Sequence, residues 1–297
     1  MAWQDVITGE AKWSLDQADC LEWLAQLPPD SVDLCVWSPP YETARLYAEV
    51  QFKLRGQDWV DWMVKVFEGC RRVCKGMVCC VCQGQTRQYR WSATPALLMA
   101  DLHRAGFNLR DPIYFHRVGI PGSGGPDDLR HDVEYIIRTT RPGKLPWSDP
   151  TACGHPPKWA PGGEMSHRLS DGTRVNHSCV GKKHTKAKAD GDEEQVYFPP
   201  AKANPGNLLS IKVGGGQMGH PLAHMNEAPL VLSVCEFLVK TFCPPQQGIV
   251  LDCFSGSGTT AHAAIANGRR FVGCDVRQSQ TDLGKRRVET VTPTMFP

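Results

Sequence analysis

Short apolar runs alternate with helical patterns in the first and last thirds of the chain. Uninterrupted apolar runs predict buried strands at 32–37, 77–82, 248–252 and 270–275. Helical spacing of apolar residues predicts helices at 20–27, 58–73, 94–105 and 228–242, and another after Thr259. The runs 112–117 and 133–139 predict a hairpin-like pair of strands. This alternation indicates an α/β fold with a largely parallel sheet.

The pattern changes between Pro142 and about Gly219. There Gly, Pro, His and Lys are frequent and periodic apolar stretches are few. Such composition is typical of surface loops rather than of a core. We therefore expect one domain assembled from residues 1–140 and 219–297, interrupted by an insertion at 141–218.

Composition places the chain among ordinary globular proteins. It has 297 residues, of which 41% are hydrophobic and 22% charged. No apolar run reaches 18 residues, and the first nine residues do not resemble a secretion signal, so neither membrane insertion nor secretion is expected. The thirteen cysteines are scattered through apolar segments rather than spaced as a disulfide framework. Reduced, buried thiols in a cytoplasm are the simplest interpretation.

Positive charge is concentrated in the middle of the chain. Residues 138–190 hold ten Lys or Arg against four Asp or Glu, which leaves +6 there and −4 in the remainder of a chain whose net charge is +2. A polyanion is expected to meet this segment, although a solvated loop would have a similar composition. The candidate phosphate contacts are Lys158, Arg168, Arg174, Lys182 and Lys183.

A glycine-rich turn follows the predicted strand that ends at Asp252. Phe254 leads into Ser255-Gly256-Ser257-Gly258, and Thr259 opens the next helix. Glycines in such a turn let the backbone approach a bound ligand closely, although packing alone can also require them. Asp275 ends the next strand about 20 residues later, where Rossmann-like units place a carboxylate that accepts hydrogen bonds from ribose. The pattern predicts a nucleotide-like cofactor.

The tetrapeptide Ser38-Pro39-Pro40-Tyr41 follows the predicted strand 32–37. Carboxyl ends of strands are where open α/β sheets bind ligands. Two prolines remove two backbone donors, so the segment is rigid and rich in acceptors. The Ser38 hydroxyl and the Pro39 carbonyl could accept both N–H groups of an exocyclic amine, and Tyr41 offers a ring for stacking. A simple proline turn after a strand is the alternative.

The two motifs together, in this order, resemble those of the S-adenosylmethionine-dependent amino-methyltransferases of DNA, in the motif order of their β group. Supporting segments are Asp19-Cys20-Leu21-Glu22, the Leu-Pro-Pro-Asp-Ser-Val-Asp stretch before Ser38, and 268–275. The resemblance covers most of 16–140 and 219–290. It implies a Rossmann-like methyltransferase fold with a circularly permuted motif order and an inserted target-recognition region. Cys253 stands where the family usually has proline, a change that we expect the turn to tolerate.

The resemblance also implies roles for individual residues. The base-holding residues would be Ser38, Pro39, Pro40 and Tyr41. The residues that hold S-adenosylmethionine would be Asp19, Asp252, Phe254, Gly256, Gly258, Thr259 and Asp275. In this family a first-position Ser is associated with N4-methylation of cytosine, and Asp or Asn with N6-methylation of adenine. We therefore expect methyl transfer to cytosine N4 in double-stranded DNA, with the target base flipped out of the helix.

Several alternatives stay open at the level of sequence. Adenine N6 presents a similar amine, RNA is also a polyanion, and an inactive accessory protein could retain the fold. A homodimer and a cognate restriction endonuclease are further partners that the sequence leaves undecided. Cys153, His155, His177 and Cys179 are metal-ligand types, but their spacing matches no common zinc module. We predict no metal there and favour loop residues or DNA contacts.

Overall fold

The computed structural model describes residues 2–42, 52–119, 127–157, 165–177, 183–186, 193–196, 201–214 and 217–292. The helices are α1 Trp3–Thr8, α2 Cys20–Gln26, α3 Gly56–Val73, α4 Thr94–Arg104, α5 Leu232–Phe242, α6 Thr259–Ala266 and α7 Gln278–Glu289, with a 3₁₀ helix at Pro221–Met225. The strands before the insertion are β1 Trp13–Gln17, β2 Val32–Trp37, β3 Cys74–Cys82, β4 Thr86–Arg87, β5 Arg90–Trp91, β6 Asn108–Val118 and β7 Val133–Thr140. The later strands are β8 Met165–Arg168, β9 Arg174–His177, β10 Lys183–Lys186, β11 Glu193–Val196, β12 Leu208–Lys212, β13 Ile249–Asp252 and β14 Arg270–Asp275.

Eight strands form one sheet in the order β1-β14-β13-β2-β3-β7-β6-β12. The run from β1 to β3 is parallel, β7 is antiparallel to both of its neighbours, and β12 is parallel to β6. Strands β2 and β13 are far apart in sequence but pair directly, with Val250 opposite Leu34. Both predicted motifs therefore follow adjacent strands at the same sheet edge. The predicted Rossmann-like α/β fold is confirmed.

The sheet is buried on both faces because its central strands carry apolar residues at most positions. In β2, Cys35 and Trp37 face a cluster built with α2, α3 and α4, while Leu34 and Val36 face a cluster built with α5, α6 and α7. Eleven cysteines in the described part of the chain are free and buried, and Cys153 is partly exposed. The predicted burial is confirmed for these eleven thiols, and their reduced state stays a prediction.

A second compact unit spans Pro150–Pro205, and the first unit comprises Met1–Asp149 and Gly206–Pro297. The second unit contains the antiparallel pairs β8–β9 and β10–β11. It lies within the predicted insertion at 141–218, whose flanks, including strand β12, belong to the first unit. No helix in the described ranges is long and apolar enough to cross a membrane.

Helix α5 differs from its prediction, since it begins at Leu232 rather than at 228. The Asn226 side chain accepts a hydrogen bond from the Ala228 N–H, and this local bond competes with helix formation. Pro229, which has no N–H to donate, follows directly. The segment before α5 is consequently a loop, which is free to line a cavity.

Candidate active site

The carboxyl ends of β2, β13 and β14 open into one cavity of about 920 Å³. Its walls include the four predicted base-holding residues Ser38, Pro39, Pro40 and Tyr41. They also include the predicted cofactor residues Asp19, Asp252, Phe254, Gly256, Thr259 and Asp275. A cavity of this volume is in the range that holds cofactors and small ligands. The two halves of the sequence thus contribute to a single site.

The glycine turn is held by the strand beside it. Gly256 has φ of 49°, and a Cβ there would lie 2.6 Å from Asn226 Nδ2. The Gly256 N–H donates to Asp275 Oδ2 at 2.9 Å, and Asp275 Oδ1 accepts from the Arg277 N–H at 2.9 Å. Oδ1 also pairs with Arg277 Nε at 3.5 Å, and Oδ2 keeps a further lone pair. Asp275 therefore fixes the turn and can still accept hydrogen bonds from a ligand.

Gly258 does not belong to the cavity wall. It has φ of 74° at the N-cap of α6, and a Cβ there would lie 3.0 Å from Gly284 Cα. Close packing of the turn on α7 is thus the requirement that the structure shows at this glycine. Its predicted contact with a cofactor stays a prediction.

Arg287 of α7 is fully buried behind the same turn. Its Nη1 donates to Thr259 Oγ1 at 2.8 Å, and its Nη2 donates to the Met218 carbonyl at 2.9 Å. Burial lowers the pKa of Arg287 to about 10. The Thr259 hydroxyl, predicted as a cofactor contact, therefore binds Arg287 and secures the start of α6.

The remaining groups on this side suit an adenosine-containing cofactor. Phe254 meets the Trp62 ring edge-on at 5.4 Å, and Trp62 meets Phe52 at 5.3 Å, so an aromatic wall borders the turn. Ser255 Oγ is buried and has no hydrogen-bond partner among the residues that the structure describes. A ring surface, an unused hydroxyl and the Asp275 carboxylate together fit the groups that S-adenosylmethionine presents.

Two predicted cofactor residues have visible structural partners. Asp19 Oδ1 accepts from the Leu21 and Glu22 N–H groups at 2.9 and 3.3 Å, which caps α2. Asp252 Oδ1 accepts from the Phe254 N–H at 2.9 Å. Burial raises the pKa of the Asp252 carboxyl to about 7, against the opposing effect of its hydrogen bonds.

On the opposite side, a chain of side chains leads away from Ser38. Ser38 Oγ donates to the Tyr41 hydroxyl at 2.9 Å, and this hydroxyl donates to Glu134 Oε2 at 3.0 Å. The other oxygen of Glu134 pairs with Arg117 Nη1 at 3.1 Å. The only hydrogen of the Ser38 hydroxyl is thus used, and its oxygen is left as an acceptor.

Burial governs the protonation of this chain. Burial raises the pKa of Glu134, while the Arg117 guanidinium and the hydrogen bond from Tyr41 act in the opposite direction. Burial and the nearby Glu134 charge raise the pKa of Tyr41 well above its usual value. The phenol is consequently held as a neutral donor to the carboxylate.

The backbone of the tetrapeptide is fixed from two further elements. Trp59 Nε1 of α3 donates to the Pro40 carbonyl at 2.8 Å. Gln85 Nε2, just after β3, donates to the Tyr41 carbonyl at 2.9 Å. Because two side chains hold successive carbonyls of this segment, the tetrapeptide backbone is preorganised.

Sequence reasoning missed the residues that support the motifs. The missed residues in the cavity wall include Phe52, Trp62, Arg117, Glu134 and Arg277. One signal was present in the sequence. Glu134 is an acidic residue two positions before Ile136 in an apolar strand, so both side chains lie on the same buried face. Glu227 and Arg277 pair at 3.0 Å, a contact that connects distant segments without a local pattern.

In the insertion, Arg168 and Arg174 lie directly opposite each other on β8 and β9, and both are exposed. Like charges in this arrangement destabilise a hairpin unless an anion neutralises them. Lys183 begins β10. Lys158, Lys182 and Cys179 lie outside the described residues. Within the described part of the chain, no group of three or more metal-ligating side chains is found.

The chain is similar in sequence and in fold to known DNA methyltransferases. A family model described as DNA methylase, of the N6/N4 type, matches residues 32–286. DNA adenine methyltransferase YhdJ of Escherichia coli is 23% identical over 286 residues, covering 95% of this chain and 84% of that protein. The solved cytosine-N4-specific PvuII DNA methyltransferase superposes with a TM-score of 0.64 at 17% identity, over 93% of this chain and 86% of that one.

A second solved structure is that of the DNA modification methylase TTHA0409 from Thermus thermophilus, in complex with S-adenosyl-L-methionine. It has a TM-score of 0.58 at 21% identity, and the match covers 95% of each chain. At these identities the structural likeness supports the fold. The family model, which spans most of the chain, shows that the chain belongs to the N6/N4 DNA methylase family.

Proposed function

We propose that this DNA methylase methylates the exocyclic N4 of cytosine in double-stranded DNA. S-adenosylmethionine is the cofactor, and when bound it supplies an electrophilic methyl group on a sulfonium. The residues of the chain have two tasks: to hold the target amine with its lone pair toward that methyl group, and to keep the base in the cavity.

The observation that carries the proposal is the hydrogen bond from Ser38 Oγ to the Tyr41 hydroxyl. It leaves the serine oxygen as an acceptor in the cavity wall, where it can receive one N–H of an amine. The Pro39 carbonyl can receive the other. An amine that donates both hydrogens directs its lone pair elsewhere, so the two acceptors orient the nitrogen for attack.

The cavity can be reached only by a base that leaves the duplex. Unstacking and unpairing cost a few kcal/mol, which contacts to the phosphates must offset. The exposed pair Arg168 and Arg174 supports phosphate binding by the insertion. Further candidate phosphate contacts in the insertion are Lys158, Lys182 and Lys183. We assign target recognition to residues 141–218 for this reason.

The choice of cytosine over adenine rests on Ser38 as the first residue of the tetrapeptide. The solved PvuII enzyme is cytosine-N4-specific, whereas the Escherichia coli relative is named an adenine methyltransferase. Both substrates present an amine on a flipped ring, so adenine N6 is the second candidate.

The test is to incubate the protein with labelled S-adenosylmethionine and unmethylated duplex DNA, and to identify the methylated nucleoside by mass spectrometry. N4-methylcytosine is the expected product. N6-methyladenine would overturn the assignment of the base and leave the fold and amine chemistry intact. If several DNAs give no product while RNA does, the proposed substrate is wrong.

A further inference from the structure

We propose that Glu134 is the final acceptor of the proton that the target amine loses, and that Tyr41 connects it to Ser38. The proposal rests on methyl transfer to an exocyclic amine. It does not depend on whether that amine belongs to cytosine or to adenine.

The geometry forms an unbroken path. Ser38 Oγ lies 2.9 Å from the Tyr41 hydroxyl, which lies 3.0 Å from Glu134 Oε2. Arg117 Nη1 occupies the other side of the carboxylate, 3.1 Å from Oε1. The carboxylate is therefore held in place, with one oxygen directed at the phenol.

A buried carboxylate also fixes the direction of the path. Its negative charge favours a Tyr41 O–H that points toward it, and the phenol oxygen then accepts from Ser38. Ser38 Oγ can only accept from the amine. Every hydrogen in the path thus points from the cavity toward Glu134, as transfer in that direction requires.

The step balances in protons and charge. The nitrogen forms a bond to the methyl carbon while the bond from that carbon to the sulfonium sulfur breaks and leaves its electron pair on sulfur; the nitrogen becomes cationic, and one of its N–H bonds then breaks. That proton passes to Ser38 Oγ, the serine proton passes to the Tyr41 oxygen, and the tyrosine proton passes to Glu134 Oε2. The positive charge that arrives with the methyl group leaves with the proton, so that the products are a neutral methylated amine and a neutral Glu134 carboxyl.

The surroundings of Glu134 suit an acceptor. The groups that face the path are Arg117 from β6, Cys82 from β3, and, in the same cavity, Lys53 and Asp252. Burial raises the pKa of Glu134, which makes the carboxylate a better base, while Arg117 keeps it ionised before the reaction.

The test compares Glu134→Gln, Tyr41→Phe and the double variant in single-turnover methyl transfer, with cofactor and DNA saturating and total methyl incorporation counted on either base. We expect each single variant to lose 30-fold or more and the double variant to lose no more than either single one, because one path is broken in all three. Tyr114→Phe, which removes a hydroxyl from the opposite face of β6, is the matched control and should keep the wild-type rate.

Cofactor affinity by calorimetry checks that each variant is folded, and it should stay within twofold. The single-turnover rate of the wild type should fall as pH drops through the pKa of Glu134. The pH–rate profile of Glu134→Gln should lack this decline, while any decline caused by Asp252 should persist in both proteins. Wild-type turnover in Glu134→Gln, or losses that multiply in the double variant, would overturn the proposal. A wild type that methylates no DNA would instead refute the proposed function.

A second inference comes from the hairpin Thr86–Trp91, formed by β4 and β5. Gln88 and Tyr89 at its tip have φ of 48° and 62°, a conformation that non-glycine residues rarely adopt. The Tyr89 side chain is 80% exposed, and Arg87, Arg90 and Trp91 are exposed beside it. A tight turn thus presents an aromatic ring between two cations.

The base of this hairpin is bonded to the catalytic tetrapeptide. The Gln85 N–H donates to Ser92 Oγ at 3.0 Å, and the Gln85 side chain donates to the Tyr41 carbonyl at 2.9 Å. Ser92 Oγ in turn donates to the buried Glu42 at 2.7 Å. The hairpin is consequently fixed relative to the cavity.

We infer that this hairpin contacts the DNA duplex beside the flipped base, with the arginines on phosphates and Tyr89 stacked on the bases that remain. Cations favour the polyanion, and aromatic rings stack on any base. The inference rests on the proposed function, because it takes a base-flipping reaction as given.

The test uses DNA duplexes that contain the site that the protein methylates, with a fluorescent analogue in place of the target base. Tyr89→Ala should lower the flipping signal at least fivefold and weaken DNA binding, with cofactor affinity unchanged. Leu97→Ala, which truncates a 37% exposed side chain on α4, outside the assigned recognition region, is the control and should behave as wild type. A wild-type flipping signal in Tyr89→Ala, or an equal loss in the control, would overturn the inference. A wild type that binds no DNA would point to failure of the proposed function.

Discussion

The two sides of the cavity are held in different ways. On the cofactor side, the Asp275 carboxylate accepts from the Gly256 N–H of the glycine turn and from the Arg277 N–H, and the turn packs on α7. On the base side, a rigid tetrapeptide presents a serine oxygen whose orientation is fixed by side chains from β6 and β7. The cofactor side therefore depends on backbone conformation, and the base side on a hydrogen-bond path. Substitutions should therefore distinguish the cofactor side from the base side.

The largest effect is expected from Gly256→Leu. The positive φ disfavours any side chain, and a Cβ would lie 2.6 Å from Asn226 Nδ2, so the turn must move. Cofactor affinity should fall at least about 100-fold by calorimetry, given a backbone shift at the point of contact. Gly143 also has a positive φ, but a Cβ there would meet no atom within 4 Å. Gly143→Ala should therefore leave the cofactor affinity within twofold of the wild type. Equal losses in both variants would show that strain alone, rather than contact, is responsible.

Ser38→Ala should affect the other side alone. One acceptor for the amine and the first link of the path to Glu134 are lost together, so single-turnover methyl transfer should fall about 30-fold or more, which corresponds to about 2 kcal/mol or more. Cofactor affinity should remain within twofold, because Ser38 bonds to Tyr41 rather than to the glycine turn. If cofactor affinity falls as much as the rate, the two sides are not separable as described.

The sequence predicted the parts of this arrangement that are local. The glycine turn and the tetrapeptide each occupy a few consecutive residues after an apolar strand, so that strand ends and motifs were placed correctly. Glu134, Arg287 and the Glu227–Arg277 pair act across 28 or more residues of sequence and carry no local pattern. Strand β12 was missed because only Leu209 in it is buried.

Arg287→Lys tests one of these distant supports. Lysine keeps the charge but cannot reach both Thr259 Oγ1 and the Met218 carbonyl. We expect the free energy of unfolding to fall by about 2 kcal/mol, since bonds from a buried cation are lost, with a smaller loss of cofactor affinity than in Gly256→Leu. Denaturant titration measures the first quantity. Arg286→Lys, next to it on α7 and on the more exposed side, should be neutral.

The smallest effect is expected from the ionisation of Asp252 on the cofactor side. Burial raises its pKa to about 7, above the value near 3.9 in an unfolded chain, so the folded protein binds the proton more tightly. The associated stability is therefore fully present below about pH 4, and it is lost as pH rises through the folded pKa. Between pH 6 and pH 7 the loss should be about 1 kcal/mol.

Denaturant titrations of the wild type and Asp252→Asn across pH 4 to 8 measure this difference. The amide cannot titrate, so the variant should lack the wild-type decline and become relatively more stable toward pH 7. Parallel curves for the two proteins would mean that Asp252 stays ionised in the folded state. In that case the glycine turn, like the base side, would be organised around a buried charge, and the contrast between the two sides would narrow.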